Sequence, residues 1–199
     1  LGIIGCCLLI SLSALSQSLQ KKLYFIEPSS VLEVNGKTNI NSFCCTSEEE
    51  DIQGNITFKL DEETATFLFH STTLDIQIDQ LDCGAKAINK DLHKTLQADV
   101  YPFITMNLKK ATNSNCKSSI DCDKWHDFDS VVDITIGCKT RTLNIPVEVN
   151  KVDDNRFLIS GIVSILLEDF DIEPPTALMG LIKVKSQIDI SFHLSVKLS

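Results

Sequence analysis

Apolar and polar residues alternate with a period of two along most of the chain. The C-terminal stretch is the clearest case. Ile188, Ile190, Phe192, Leu194, Val196 and Leu198 are interleaved with Asp189, Ser191, His193, Ser195 and Lys197. Successive residues of a strand point to opposite faces, so this segment reads as a strand with one dry and one wet side. Leu74, Ile76 and Ile78 alternate with Asp75, Gln77 and Asp79 in the same way. Val132, Ile134 and Ile136 alternate with Asp133 and Thr135. Leu143, Ile145, Val147 and Val149 repeat the pattern, and Pro146 on the other face predicts an edge or a bulge. Further strands are predicted near 31–36, 40–46, 52–60, 102–110 and 156–167. With turn chemistry such as Asp61-Glu62-Glu63 and Asp153-Asp154-Asn155 between them, about eight or nine strands point to an all-β antiparallel barrel or sandwich.

One helix interrupts the strands. Between Gly84 and Asp99, Ile88, Leu92 and Leu96 fall at i, i+4 and i+8, a single apolar stripe on a polar segment. Pro102 stops it. Such a helix either plugs a barrel opening or packs as a connection on the outside, and periodicity alone favours the connection. Residues 111–130, ATNSNCKSSIDCDKWHDFDS, carry no strand pattern and read as a polar loop.

Ahead of the strands, residues 1–16 (LGIIGCCLLISLSALS) carry no charge and no proline. That run is short for a membrane span and suits the apolar core of a secretory signal. Ala14-Leu15-Ser16 reads as the cleavage site, leaving a single domain over 17–199. With no initial Met and no basic stretch before it, the leader is expected to start further upstream. Ile3-Ile4-Gly5-Cys6 could be read as a lipoprotein box, but the apolar run continues past Cys6 to Leu15. The expectation is export to the periplasm or beyond.

Export changes how the cysteines read. Cys6 and Cys7 leave with the leader, and Cys44, Cys45, Cys83, Cys116, Cys122 and Cys138 remain. An even set in an oxidising compartment suggests bridges, with some thiols simply buried as small apolar groups. The formal net charge of −9 repels phosphates, which disfavours nucleic acid and anionic membrane surfaces as partners.

Candidate chemistry is sparse. Asp121, Cys122, Asp123, His126, Asp127 and Asp129 form the one dense polar cluster. It lacks the Gly and Glu of an EF-type calcium loop, having His126 and Val132 at those positions. The chain has no CxxC pair for zinc. The cluster reads as a solvated acidic loop pinned by a Cys116–Cys122 bridge, with no metal. His70, His93, His126 and His193 sit in no HExxH, and there is no GxSxG or phosphate-binding loop. No catalytic residue and no cofactor are assigned, and the chain is read as a non-enzyme. With one Trp and two Tyr, it also lacks the aromatic platforms that sugars and single-stranded nucleic acids require.

Four stretches taken together carry a resemblance: SSVLEVNGKTNINSFCC at 29–45, LDIQIDQLDCGAKAINKDLHKTLQADVYPFITMNL at 74–108, ITIGCKTRTLNIPVEV at 134–149, and FLISGIVSILLEDFDIEPPTALMGLIKVKSQIDISFHLSV at 157–196. Tyr101-Pro102 before a strand, the Gly137 turn leading to Thr140, and Asp169-Phe170 followed by Pro174-Pro175 and Gly180 are its most telling pieces. In order and spacing the chain resembles the YceI-like family of exported proteins, in particular the forms of Bacteroidetes-type bacteria. The resemblance implies a lipocalin-like antiparallel barrel of about eight strands. It implies a polyisoprenoid or other apolar lipid in the lumen and no enzymatic step. It also implies a Cys45–Cys83 pairing and moves the 84–99 helix toward the barrel mouth. The 111–130 insert and the doubled Cys44-Cys45 depart from the family pattern.

The apolar phase of the strands then supplies the expected lumen: Leu74, Ile76, Ile78, Ile134, Ile136, Phe157, Ile159, Ile188, Ile190, Phe192 and Leu194. It must be this phase, because Asp75, Asp189 and Lys197 on the other cannot be buried unpaired. If the ligand has a polar headgroup, it is expected at the mouth, where the helix N-terminus or Lys86 and Lys90 could meet a phosphate, although each lysine alone reads rather as a solvated helix residue. Two other readings stay open. One is an interaction protein using the 111–130 loop, and the other is a thiol or metal enzyme. A homodimer is also left open.

Overall fold

The alternating stretches form strands that close on themselves. The computed structural model describes residues 18–47, 52–115, 119–177 and 181–199; the expected leader lies outside them. Eight strands make a ring. In spatial order they are β1 (Gln20–Ile26), β4 (Gln53–Asp61), β5 (Thr66–Ser71), β8 (Phe103–Asn113), β9 (Trp125–Ile136), β10 (Lys139–Lys151), β11 (Arg156–Leu166) and β13 (Ile182–Leu198). The pairing Tyr24↔Leu198 through Ile26↔Val196 closes it, and every ladder is antiparallel. The fold is a lipocalin-like antiparallel β-barrel with one short helix.

The two ends of the ring are built from different strands. β13 is seventeen residues long. Its last residues pair with β1, but Val184 to His193 pair with β2 (Val31–Thr38). β2 carries β3 (Ser42–Ser47), and β3 carries the short β7 (Leu81–Asp82). β8 divides likewise: Lys110–Thr112 pair with β5, whereas Phe103–Asn107 pair with β6 (Thr73–Gln77). A minor strand, β12 (Thr176–Ala177), pairs with the start of β13.

At Ser195 the fork leaves β13 without a strand partner on one side. Its N–H donates to the Ser30 hydroxyl (2.9 Å) and its carbonyl accepts from the Glu27 N–H (2.8 Å). Glu27 accepts in turn from the Ser195 hydroxyl and from Arg156 (2.9 Å), so the gap is closed by side chains.

The end that carries β2, β3 and β7 is filled. Ile78 does not continue β6 as its alternation predicts. The backbone turns there into a 3-10 turn over Ile78–Gln80, and the Ile78 N–H reaches the Pro102 carbonyl. α1 (Lys86–Thr95) follows, shorter than the predicted 84–99. Gly84 (φ +75°) makes the bend before it, a conformation that costs glycine little. Asn89 and Asp82 tie that bend to the helix through the Cys83 and Gly84 N–H groups. Leu92, Leu96 and Ala98 pack with Ile78, Ile136, Ile188 and Phe170. Phe170 comes from a second 3-10 turn, Leu167–Phe170. Pro146 explains the space it fills. β10 pairs with β11 only from Val147 onward, since Pro146 has no N–H to donate, and the strands part there.

The cysteine expectations divide. Cys45 and Cys83 form a disulfide, with Cys45 fully buried. Cys116 lies outside the described residues, and Cys122 carries a free, exposed thiol, as do Cys44 and Cys138.

Candidate ligand-binding lumen

Among the described residues, the inward phase of the strands lines two hollows. The wider, about 310 Å³, lies at the end formed by β1, β4, β5 and the outer halves of β8 to β13. The narrower, about 90 Å³, lies between it and the filled end. Neither is lined by any charged side chain among the described residues. The wide chamber is walled mostly by aliphatic side chains, with seven aromatics among them. Phe58 stands 5.9 Å from Phe67 and 6.0 Å from Phe69, and Phe67 stands 6.2 Å from Phe128, all tilted contacts between ring centroids. Phe157 and Phe192 are the other phenylalanines in the wall.

A few polar groups interrupt this surface. Tyr24 lines the wide chamber and donates its hydroxyl to the Thr73 carbonyl. Burial, reinforced by the nearby Asp75 carboxylate, raises its pKa above the ordinary phenol value and keeps it neutral. Thr72 in the wide chamber and Ser47 in the narrow one have buried hydroxyls with no protein partner among the described residues.

The wet phase is satisfied on the outside. Asp75 accepts from Thr105 (2.6 Å), Asp133 from Thr142 (2.6 Å) and Asp189 from Ser164 (2.5 Å), all cross-strand neighbours. Hydrogen bonds from Thr142 and from Ser164 hold Asp133 and Asp189 below the ordinary carboxylate range.

The eleven residues expected in the lumen fall into three groups. Leu74, Phe157, Ile159, Phe192 and Leu194 line the wide chamber. Ile76, Ile134 and Ile190 line the narrow one, which Leu74, Phe192 and Leu194 share. Ile78, Ile136 and Ile188 line neither; they belong to the solid packing beneath α1. Sequence reasoning missed Tyr24 and Ile26 on β1, Phe67 and Phe69 on β5, and Phe128 on β9. On β5 the intervening Leu68 is apolar too, so no alternation marks the strand. Phe128 sits in the stretch read as a loop, yet β8 runs to Asn113 and β9 starts at Trp125.

The helix stands at a barrel end, but at the filled one. Lys86 and Lys90 line only a shallow groove along its outer side, far from the wide chamber, so they cannot meet a headgroup there. The β8–β9 loop instead reaches the wide chamber, through Ile120. The acidic cluster does not converge. His126 is buried on the inward face of β9 with Nε2 3.1 Å from the Asp121 N–H, while Asp127 and Asp129 face outward.

A closed antiparallel barrel with an apolar interior that carries no charge among the described residues, and with a plug at one end, is an architecture suited to binding a small apolar ligand. The chain belongs to the YceI-like domain family, whose model matches residues 29–196. No curated protein matches the sequence. Among solved structures it is similar to a polyisoprenoid binding domain from Saccharophagus degradans, implicated in plant cell wall breakdown. Identity to that domain is 11%, the TM-score is 0.67, and 88% of this chain and 98% of the other are covered. Burkholderia cenocepacia BcnA is similar at 18% identity and TM-score 0.60, over 83% and 95% of the two chains. The YceI protein of Campylobacter jejuni gives 16% and 0.52, over 70% and 78%.

Proposed function

We propose that this protein is exported and holds a polyisoprenoid or similar apolar lipid in its lumen, without catalysing a reaction on it. The observation that carries the reading is the 310 Å³ chamber walled by phenylalanine and aliphatic side chains, with no charged side chain among the described residues. Water is poorly held by such a wall, and an apolar chain entering it gains roughly 25 cal/mol for each Å² removed from solvent. Membership of the YceI-like family and the fold shared with a polyisoprenoid binding domain support the same reading. The apolar run at 1–16 supports export.

Native mass spectrometry of protein purified from its host tests this directly. The expected result is an adduct that organic extraction removes and that is identified as a prenyl lipid. Protein that carries no adduct, and that takes up none of several prenyl quinones, prenols or prenyl phosphates, would end the proposal.

A further inference from the structure

The two chambers meet at one level of the barrel, and the side chains there decide how deep a ligand can go. Ile26, Leu74, Met106, Phe192 and Leu194 line both. Met106 on β8 and Phe192 on β13 come from opposite sides of the ring, four strands apart in either direction. The position of the Phe192 ring is set by its cross-strand partner. On β11 the inward series runs Ile159, Gly161, Val163, and Gly161 is directly paired with Phe192. A Cβ on Gly161 would lie 2.5 Å from Phe192 Cζ, so the ring occupies the space a side chain would need. Glycine covered by a facing aromatic is a stable sheet arrangement, and here it seats the ring at the level where the two hollows share their lining.

We propose that Phe192, seated on Gly161 and facing Met106, ends the ligand chamber and limits the buried chain to about fifteen carbons. The inference rests on the lipid-binding reading. Along β13 the wide chamber runs from Phe192 to Leu198. Six steps of ~3.3 Å at a strand tilt of about 40° give roughly 15 Å of depth. An isoprene unit contributes four C–C bonds, about 5 Å when extended, so three units fill that depth. The narrow chamber, about 90 Å³, has room for one more unit, but the Phe192 ring stands in the way. Beyond it Ile78, Ile188 and Phe170 leave no space. Units past the third therefore stay in water and add little affinity.

The test measures binding of geraniol, farnesol, geranylgeraniol and an octaprenol to delipidated full-length protein, by displacement of an apolar fluorophore. Affinity should rise at least tenfold from ten to fifteen carbons, because a buried unit contributes several methylene equivalents, and should then change less than about threefold. In Phe192→Ala the way opens and the break should move to twenty carbons, with geranylgeraniol at least tenfold tighter than farnesol. Gly161→Ala pushes the ring toward the axis and should weaken farnesol relative to geraniol. Saturated fatty acids from decanoate to stearate, palmitate among them, extend the test to acyl chains: a break at the same extended length supports a limit set by the wall. Affinity that keeps climbing to octaprenol in the wild type, or a break unmoved in folded Phe192→Ala, overturns the proposal while leaving lipid binding intact. Failure of every prenol and of every fatty acid to bind would instead remove the lipid-binding reading. Should neither variant fold, the wild-type length series decides alone.

Discussion

The two ends of this barrel share β8 to β13 and the same alternation, yet one is solid and the other hollow. At the solid end the strands are capped by elements from outside the ring. Leu92 of α1, Leu96 at its C-cap and Phe170 of a 3-10 turn fill the space that Ile78, Ile136 and Ile188 leave. At the hollow end the strands contribute larger side chains, but these form a wall, and of the connections only Thr72 and Ile120 reach the chamber among the described residues. Alternation specifies which side of a strand is dry. Whether that dry side meets protein or a ligand depends on what the connections bring back over the opening.

The sharpest way to break the comparison is to make the same truncation at each end. Phe170 is nearly fully buried against well-packed neighbours. Phe170→Ala should cost about 3–5 kcal/mol, the transfer term plus a cavity the capped end cannot close. Phe69 lines the wide chamber rather than packed core, with its ring centroid 6.0 Å from that of Phe58. Phe69→Ala should therefore cost only about 1–2 kcal/mol, since most of the cavity term is absent. Urea unfolding of both variants in delipidated protein measures the contrast. Equal losses would mean that the hollow end is packed as tightly as the plugged one.

How much of this was legible follows from the same contrast. β13 and β9 announce themselves because Asp189, Lys197 and Asp133 cannot be mistaken for lumen residues. β5 does not, because Phe67, Leu68 and Phe69 are all apolar although Leu68 is exposed. The first half of β9 is hidden for the opposite reason: His126 and Ser130 are polar at inward, buried positions. Ile78, Ile136 and Ile188 continue the apolar phase into the filled end. Local sequence cannot say that α1 covers them, since the helix packs there through contacts distant in the chain.

The Cys45–Cys83 bridge sharpens the comparison next. It ties β3, at the solid end, to the bend that starts α1, across a sequence separation of 38 residues. Closing a loop of that length in the unfolded chain is worth about 3–4 kcal/mol in the chain-entropy treatment. The Cys45→Ser/Cys83→Ser double variant should lose that amount. Hydrogen exchange should show the loosening in α1 and β3, with β5 and the start of β9 little changed. Uniform loss of protection across the barrel would show that the two ends do not open separately.

The smallest effect tests the seam where the ends part. At Ser195, β13 passes from β2 to β1, and Glu27 holds the junction through the Ser195 hydroxyl and Arg156. These two hydrogen bonds, that from Ser195 being the stronger influence, lower the Glu27 pKa below the ordinary carboxylate value. A lowered folded-state pKa means that the unfolded chain takes up the proton first. The stabilisation is therefore fully present above the unfolded value of about 4.3 and is lost as pH falls through the lower folded value. The pair is partly exposed, with side-chain exposures of 26% for Glu27 and 39% for Arg156, so solvent screening keeps its worth to about 1 kcal/mol. Glu27→Gln should be less stable than the wild type by that amount at pH 7, and the difference should shrink toward zero near pH 3. Taking the difference between the two proteins cancels the parallel acid sensitivity of Asp133 and Asp189, whose pKa values are also lowered. A gap between wild type and variant that is unchanged from pH 7 to pH 3 would show that the Glu27 charge does not hold the seam, leaving the junction to the Ser30 and backbone hydrogen bonds at Ser195.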